Sequence, residues 1–217
     1  MRLWPLESTP STDAISKQYV IEELKSFDET YLAVVEWDGL DDQHCLIAPT
    51  EHTCSSIQLD ENVWDEMRIW RKGLVAMWRA MDMDCLFVEM SRNVTAGPHL
   101  IIECIPVPME IGETAPIYFK KAIMECEEEY ADNKKLIEIK DLRKQIPKSF
   151  NYFAVDFGLS NGYAHVIENR HSFPATFAHE IIAGMMDLPA NKWPLMGAVR
   201  LDEEDPTMIY GGPSDEN

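Results

Sequence analysis

Between Asp60 and Met81 the chain carries an apolar stripe at the three- and four-residue spacing of a helix: Val63, Met67, Trp70, Leu74, Met77, Trp78 and Met81. Asp60 stands where an N-cap belongs. The acids Asp60, Glu61, Asp65 and Glu66 precede the bases Arg68, Arg71, Lys72 and Arg79, the order a helix dipole favours. A helix with this apolar face has to bury it, and the segments around it are β-type. Residues 31–37 are β-branched and aromatic and end at Asp38-Gly39. Residues 44–48 form a second strand stopped by Pro49, with 38–43 as the hairpin loop. Residues 85–89 are a third strand, and 100–105 a fourth, ended by Pro106-Val-Pro108. The expected class is α+β, with hairpin, helix and two strands in one unit over residues 20–110.

Three prolines and Gly112 crowd residues 106–116, where a boundary is expected. Pro116 suits the first turn of a helix running through Tyr118, Ala122, Met124, Cys126 and Tyr130. The Glu127–Glu129 run reads as a solvated face. Residues 152–157 and 164–167 read as strands joined around Gly158 and Asn161-Gly162, and Ser172 and Pro174 open a helix through Phe177, Ile181, Ile182 and Met185. A second, smaller α+β unit over residues 111–200 is thus expected to pack against the first. Residues 1–16 read as irregular. The tail 201–217, with six acids and no bases, reads as disordered.

Charge narrows the partners. The 19 basic and 38 acidic residues leave a net charge of −19, a field that opposes non-specific attraction to phosphate backbones and anionic membranes. Any nucleic-acid role must come from a local patch. The five cysteines form no C-x-x-C pair, so neither a disulfide framework nor a thiolate zinc site is expected. Residues 1–10 show no apolar signal segment, and no apolar run approaches the length of a membrane span. His165, His171 and His179 are spaced by six and eight residues, which fits no compact metal motif; no metal or other cofactor is expected.

Three other histidines carry a pattern. His44-Cys-Leu-Ile-Ala-Pro-Thr-Glu-His52 places one histidine at a strand start and another three residues past a proline, and His99 precedes an alternating run toward Pro106. This resembles the histidine-triad superfamily, in which a strand bears His-x-His-x-His. Aligned on Pro106, His99 falls on the first triad position, Ile101 on the middle one and Glu103 on the last. The resemblance makes the middle imidazole the nucleophile toward an α-phosphate. Ile101 has no lone pair, and loss of a nucleophile costs on the order of a million-fold in rate. The expectation is a vestigial pocket built from His44, His52, His99 and Glu103, with no catalytic residue.

A closer resemblance runs through seven strings in order. They are 44–52, 59–66, 98–108, Ala115-Pro-Ile-Tyr-Phe-Lys-Lys-Ala-Ile123, Tyr152-Phe-Ala-Val-Asp-Phe-Gly158, Gly162-Tyr-Ala-His-Val-Ile-Glu168 and 177–185. Together they resemble the paired C-terminal domains of the CwfJ family, the CWF-nineteen-like splicing factors. The resemblance implies a nuclear protein of the late, intron-lariat spliceosome. Its implied partners are spliceosomal proteins, the lariat debranching enzyme and intron lariat RNA, with no membrane. Family members are generally longer, with charged N-terminal regions and a Cys-containing segment upstream, so the chain is expected to be a fragment or a reduced member.

The RNA-binding candidates come from charge. Lys134, Lys135, Lys140, Arg143, Lys144 and Lys148 stand against only Glu138 and Asp141, the one basic block of an acidic chain. Lys120 and Lys121 follow Tyr118 and Phe119, pairing aromatics with bases. Their structural alternatives are a helix of alternating charges and a helix with both aromatics packed inward. The expected function is a non-catalytic splicing factor that binds branched intron RNA and promotes lariat debranching or turnover. The alternatives are an active histidine-triad nucleotide hydrolase or transferase acting through His99, and a pure protein scaffold.

Overall fold

In the computed structural model, which describes residues 29–34, 39–126 and 135–188, the apolar runs pair into one antiparallel sheet. The irregular start (1–16), residues 35–37 of the first strand, the Glu127–Glu129 run, Lys134 and the acidic tail 201–217 lie outside the described residues. The strands are β1 (Thr30–Val34), β2 (Cys45–Pro49), β3 (Met83–Ser91), β4 (Ile102–Pro108), β5 (Ile137–Glu138), β6 (Tyr152–Phe157) and β7 (Tyr163–Val166). The helices are α1 (Glu61–Arg79), α2 (Met109–Glu125), α3 (Leu142–Gln145) and α4 (Phe177–Met185). Spatial order across the sheet is β1-β2-β4-β3-β6-β7-β5.

The protein is therefore mixed α+β, with seven strands and four helices among the described residues. The two segments expected as separate units share this sheet edge to edge. β3 pairs with β4 on one side and with β6 on the other, from Leu86↔Phe157 to Ser91↔Tyr152. Alternation then sorts the side chains onto two faces. On one face α1 lays Met67, Trp70, Leu74, Val75 and Trp78 against Leu32, Cys45, Ile47, Cys85, Phe87, Ile102 and Cys104. On the other, α2 and α4 bury Phe119, Ile123, Phe177 and Ile182 against Leu86, Val88, Ile105, Phe153 and Val155.

The long helix forms as the stripe requires, with Asp60 at its N-cap position. Two of its tryptophans also find hydrogen-bond acceptors: Trp70 Nε1 donates to Thr30 Oγ1 (3.0 Å) and Trp78 Nε1 to Gln43 Oε1 (3.1 Å). The stretch 106–116 differs from expectation. Pro106 lies within β4, which runs on to end at Pro108, the N-cap position of α2, and Pro116 sits in the middle of α2 instead of its first turn. Pairing of β2 with β4 runs only from Ile47↔Ile102 to Cys45↔Cys104, so the later part of β4 has one unpaired side, where proline costs no ladder bond. Gly112 packs α2 tightly on β3: a Cβ there would come within 2.6 Å of Asp84 Cβ. The β6–β7 turn uses Gly158 at φ +57°, the left-handed region that glycine enters without strain.

The five cysteines are free. Burial pushes the Cys85 thiol up to about 12, helped by the Asp84 charge, so it stays protonated.

Trp78 is fully buried and central to the α1 face. Trp78→Ala is expected to lower unfolding free energy by about 3–5 kcal/mol, read from the midpoint shift in urea at unchanged m-value.

Candidate functional site

The predicted site residues fall into separate places. His52 and His99 come together at the Pro49 end of β2, with ring centroids 5.5 Å apart at a steep angle. His99 Nε2 lies 2.7 Å from the Pro49 carbonyl, which can only accept, so that nitrogen carries the proton. Burial holds the His99 pKa below its ordinary value, and the nearby His52 adds to this against the Pro49 hydrogen bond. His99 precedes β4, and of the three aligned triad positions only Glu103 lies within the strand.

His44 and Glu103 form a second group, which gains a histidine from the other segment. His179 on α4 donates from Nε2 to Glu103 Oε2 at 2.6 Å, and His44 Nε2 stands 3.4 Å from the same oxygen. His44 is buried, while Glu103 and His179 are partly covered. Burial alone would raise the Glu103 pKa, but the His179 charge and the contacts from both imidazoles outweigh it and hold the carboxyl far below the usual range. Burial pulls His179 down, yet the Glu103 charge wins and its pKa is raised. The pair pins α4 to the sheet.

The basic residues gather on the opposite face. A cavity of about 680 Å³ opens between α1, the β6–β7 turn and the 139–148 segment. Lys140, Arg143, Lys144 and Lys148 line it, as do Arg68, Arg71 and Lys72 of α1. The block is a short strand and a single helical turn rather than a long helix of alternating charges. It is seated by apolar contacts of Ile139, Leu142 and Ile146 with Ile57, Tyr152 and Ala154. Arg143 ties it to the start of α1, donating to Glu61 Oε2 (2.7 Å) and to the Leu59 carbonyl (2.8 Å).

Arg71 crosses the groove floor, with its guanidinium 4.5 Å from the Phe87 ring centroid and 2.6 Å from Asp156 Oδ2. Below lies the carboxyl of Glu89. It accepts from Ser56 N (2.9 Å), Ser56 Oγ (2.6 Å) and the Tyr152 hydroxyl. Burial raises the Glu89 pKa against these hydrogen bonds. Arg68 and Lys144 are held by Asp65 and Asp141, whereas Lys72, Lys140 and Lys148 have no carboxylate within salt-bridge distance among the described residues. Those three cations are open to an external anion.

The remaining predicted bases lie elsewhere. Lys120 and Lys121 are exposed on α2, across the sheet from the groove, and Tyr118 points outward with them while Phe119 is buried. Lys135 donates to the Cys126 carbonyl (2.6 Å), and its own carbonyl accepts from His165 Nδ1 (2.7 Å). Sequence reasoning missed Arg68, Arg71 and Lys72 as groove residues. Their i, i+3, i+4 spacing already put them on one helix face, away from the apolar stripe. Among the described residues no group of His, Cys, Asp or Glu is placed to hold a metal ion.

Comparison with known proteins gives two consecutive matches. Residues 16–120 match the family described as "Protein similar to CwfJ C-terminal", and residues 129–206 match "Protein similar to CwfJ C-terminus 2". A CWF19-like protein 2 homolog of Caenorhabditis elegans is 72% identical over 164 residues, covering 76% of this chain and 36% of that protein. The Homo sapiens CWF19-like protein 2 is 47% identical over 167 residues, covering 76% of this chain and 19% of that protein. The pre-mRNA-splicing factor cwf19 of Schizosaccharomyces pombe is 31% identical over 170 residues, covering 73% and 27%. The matched stretch is thus a minor part of each relative.

The pH dependence of the Glu103–His179 pair follows from the two shifts. Glu103's contribution is complete above its ordinary value of 4.5 and is lost as pH falls through its depressed folded value. His179's contribution is complete below its ordinary 6.5 and is lost as pH rises through its raised folded value. The stability gap between wild type and Glu103→Gln is expected to be widest at about pH 5–6 and to narrow toward pH 8 and toward pH 3, measured by urea unfolding across pH.

Proposed function

The chain belongs to the CwfJ/CWF19 family, and from that premise we propose that it is a non-catalytic, splicing-associated factor that binds intron RNA through the basic groove. In this reading it acts in the nucleus on the late, intron-lariat spliceosome. It recognises branched intron RNA together with spliceosomal proteins and the lariat debranching enzyme, and so promotes debranching or turnover. Residues 20–110 and 111–200 act as its two domains, the first histidine-triad-like. His44 and Glu103 in one group, and His52 and His99 in another, are remnants of a phosphate pocket that the fold has split, with no nucleophile at Ile101.

One observation carries the RNA reading. On a chain of net −19, seven basic side chains line a single cavity, and Lys72, Lys140 and Lys148 among them have no carboxylate partner among the described residues. Concentrating like charge costs energy unless an anion resolves it. The names of the relatives support the splicing context.

The test is fluorescence anisotropy with a labelled 2′–5′ branched RNA, competed by linear RNA of equal length, at two salt concentrations. The expected result is preference for the branched RNA. Each of Lys72→Glu, Lys140→Glu and Lys148→Glu should weaken binding severalfold. Each should also reduce the slope of log affinity on log salt by about 0.7–0.9. Failure to bind even at low salt overturns the reading. Binding to spliceosomal proteins that survives these charge reversals would then favour the scaffold, which the overall acidity suits when the partner is basic.

A further inference from the structure

Building on the RNA-binding reading, we propose that the groove is a seat for an unpaired nucleotide: a base enters the cavity against Trp64 and Leu159, its edge is read by Asn161, and the flanking phosphates rest on Lys72, Lys140 and Lys148.

Shape is the first reason. The site is a cavity of about 680 Å³, the size of a small-ligand pocket, whereas proteins that bind RNA duplexes lay a broad surface across successive grooves. A backbone track needs only cations. This cavity has an apolar interior as well, with Ile57, Phe87, Ile102 and Leu142 in its wall. Apolar wall and cationic rim together match a nucleotide, which is a flat π-system joined to charged phosphates.

The aromatic wall is the second reason. Trp70 and Trp78 on the same helix both have indole N–H partners. Trp64 lines the cavity, is only partly buried, and has no hydrogen-bond acceptor for its indole among the described residues. A partly exposed indole at a cavity wall with an unused donor is suited to act as a stacking platform. Leu159, on the β6–β7 turn, lines the same cavity while 54% exposed. Next to it Asn161 brings one donor group and one acceptor, and neither is used by its side chain among the described residues. The Arg71–Asp156 pair joins α1 to β6 and so holds the two walls in register.

The experiment separates the seat from the track. Three labelled ten-residue probes are compared by anisotropy at one salt concentration: a linear RNA, the same ribose–phosphate chain with abasic central residues, and a blunt RNA duplex. The linear RNA should bind about tenfold or more tighter than the abasic chain and than the duplex. Leu159→Ala and Asn161→Ala, at exposed positions that the fold does not need, should each shrink the preference for bases severalfold and leave the salt slope unchanged. Trp64→Phe should do the same to a lesser degree, since a ring remains. Lys72→Glu should weaken all three probes alike. Equal binding of the base-bearing and abasic chains overturns the nucleotide seat and leaves a phosphate track. Tight duplex binding overturns it too. No binding of any probe at low salt removes the RNA reading, and the seat with it.

Discussion

The pairing of β3 with β6 is the contact on which the rest of the structure depends. Six consecutive residue pairs join a strand of the first family segment to a strand of the second. Without it, each half would expose a strand edge with unmet hydrogen bonds. Its consequence for the site is positional. Because β6 lies beside β3, the β5–α3 segment is brought onto the face that α1 occupies, and seven cations from two distant stretches meet across one groove. Glu89 of β3 and Tyr152 of β6 are hydrogen-bonded beneath that groove, each also in contact with Ser56, so the seam is locked where the basic segment crosses it.

The two faces of the sheet have different electrostatic logic. On the α2–α4 face a carboxylate, Glu103, is compensated by imidazoles from both segments, by a hydrogen bond from His179 and by the close approach of buried His44. On the α1 face cations exceed the carboxylates that could pair with them, and the excess points into a cavity. A field of −19 that leaves one face basic favours a partner whose charge is local and dense over one drawn in by the whole molecule.

Much of the architecture could be read along the chain. The stripe from Val63 to Trp78 predicts α1 well, because a surface helix must repeat its apolar positions every three or four residues. The strands β6 and β7 and the helix α4 were equally plain. Errors gathered at prolines. Pro106 and Pro116 look like breaks, but a strand with one open side and a helix packed tightly through Gly112 both tolerate them, and only Pro108 ends its element. The basic block was visible as charge, yet its conformation was not: apolar contacts with Ile57 and Tyr152 shape it, and both are remote in sequence.

Local order was enough to establish the α+β class, the acidic field and the patch of bases that departs from it, because periodicity and charge density are properties of neighbouring residues. The tertiary structure alone decided which of those bases share a groove with Arg68, Arg71 and Lys72, that Trp64 lines that groove, and that His179 rather than His99 meets Glu103. Each of those outcomes rests on strand pairing between residues tens of positions apart, and a pairing register is set by the competition among whole faces for burial, which no local window of sequence contains.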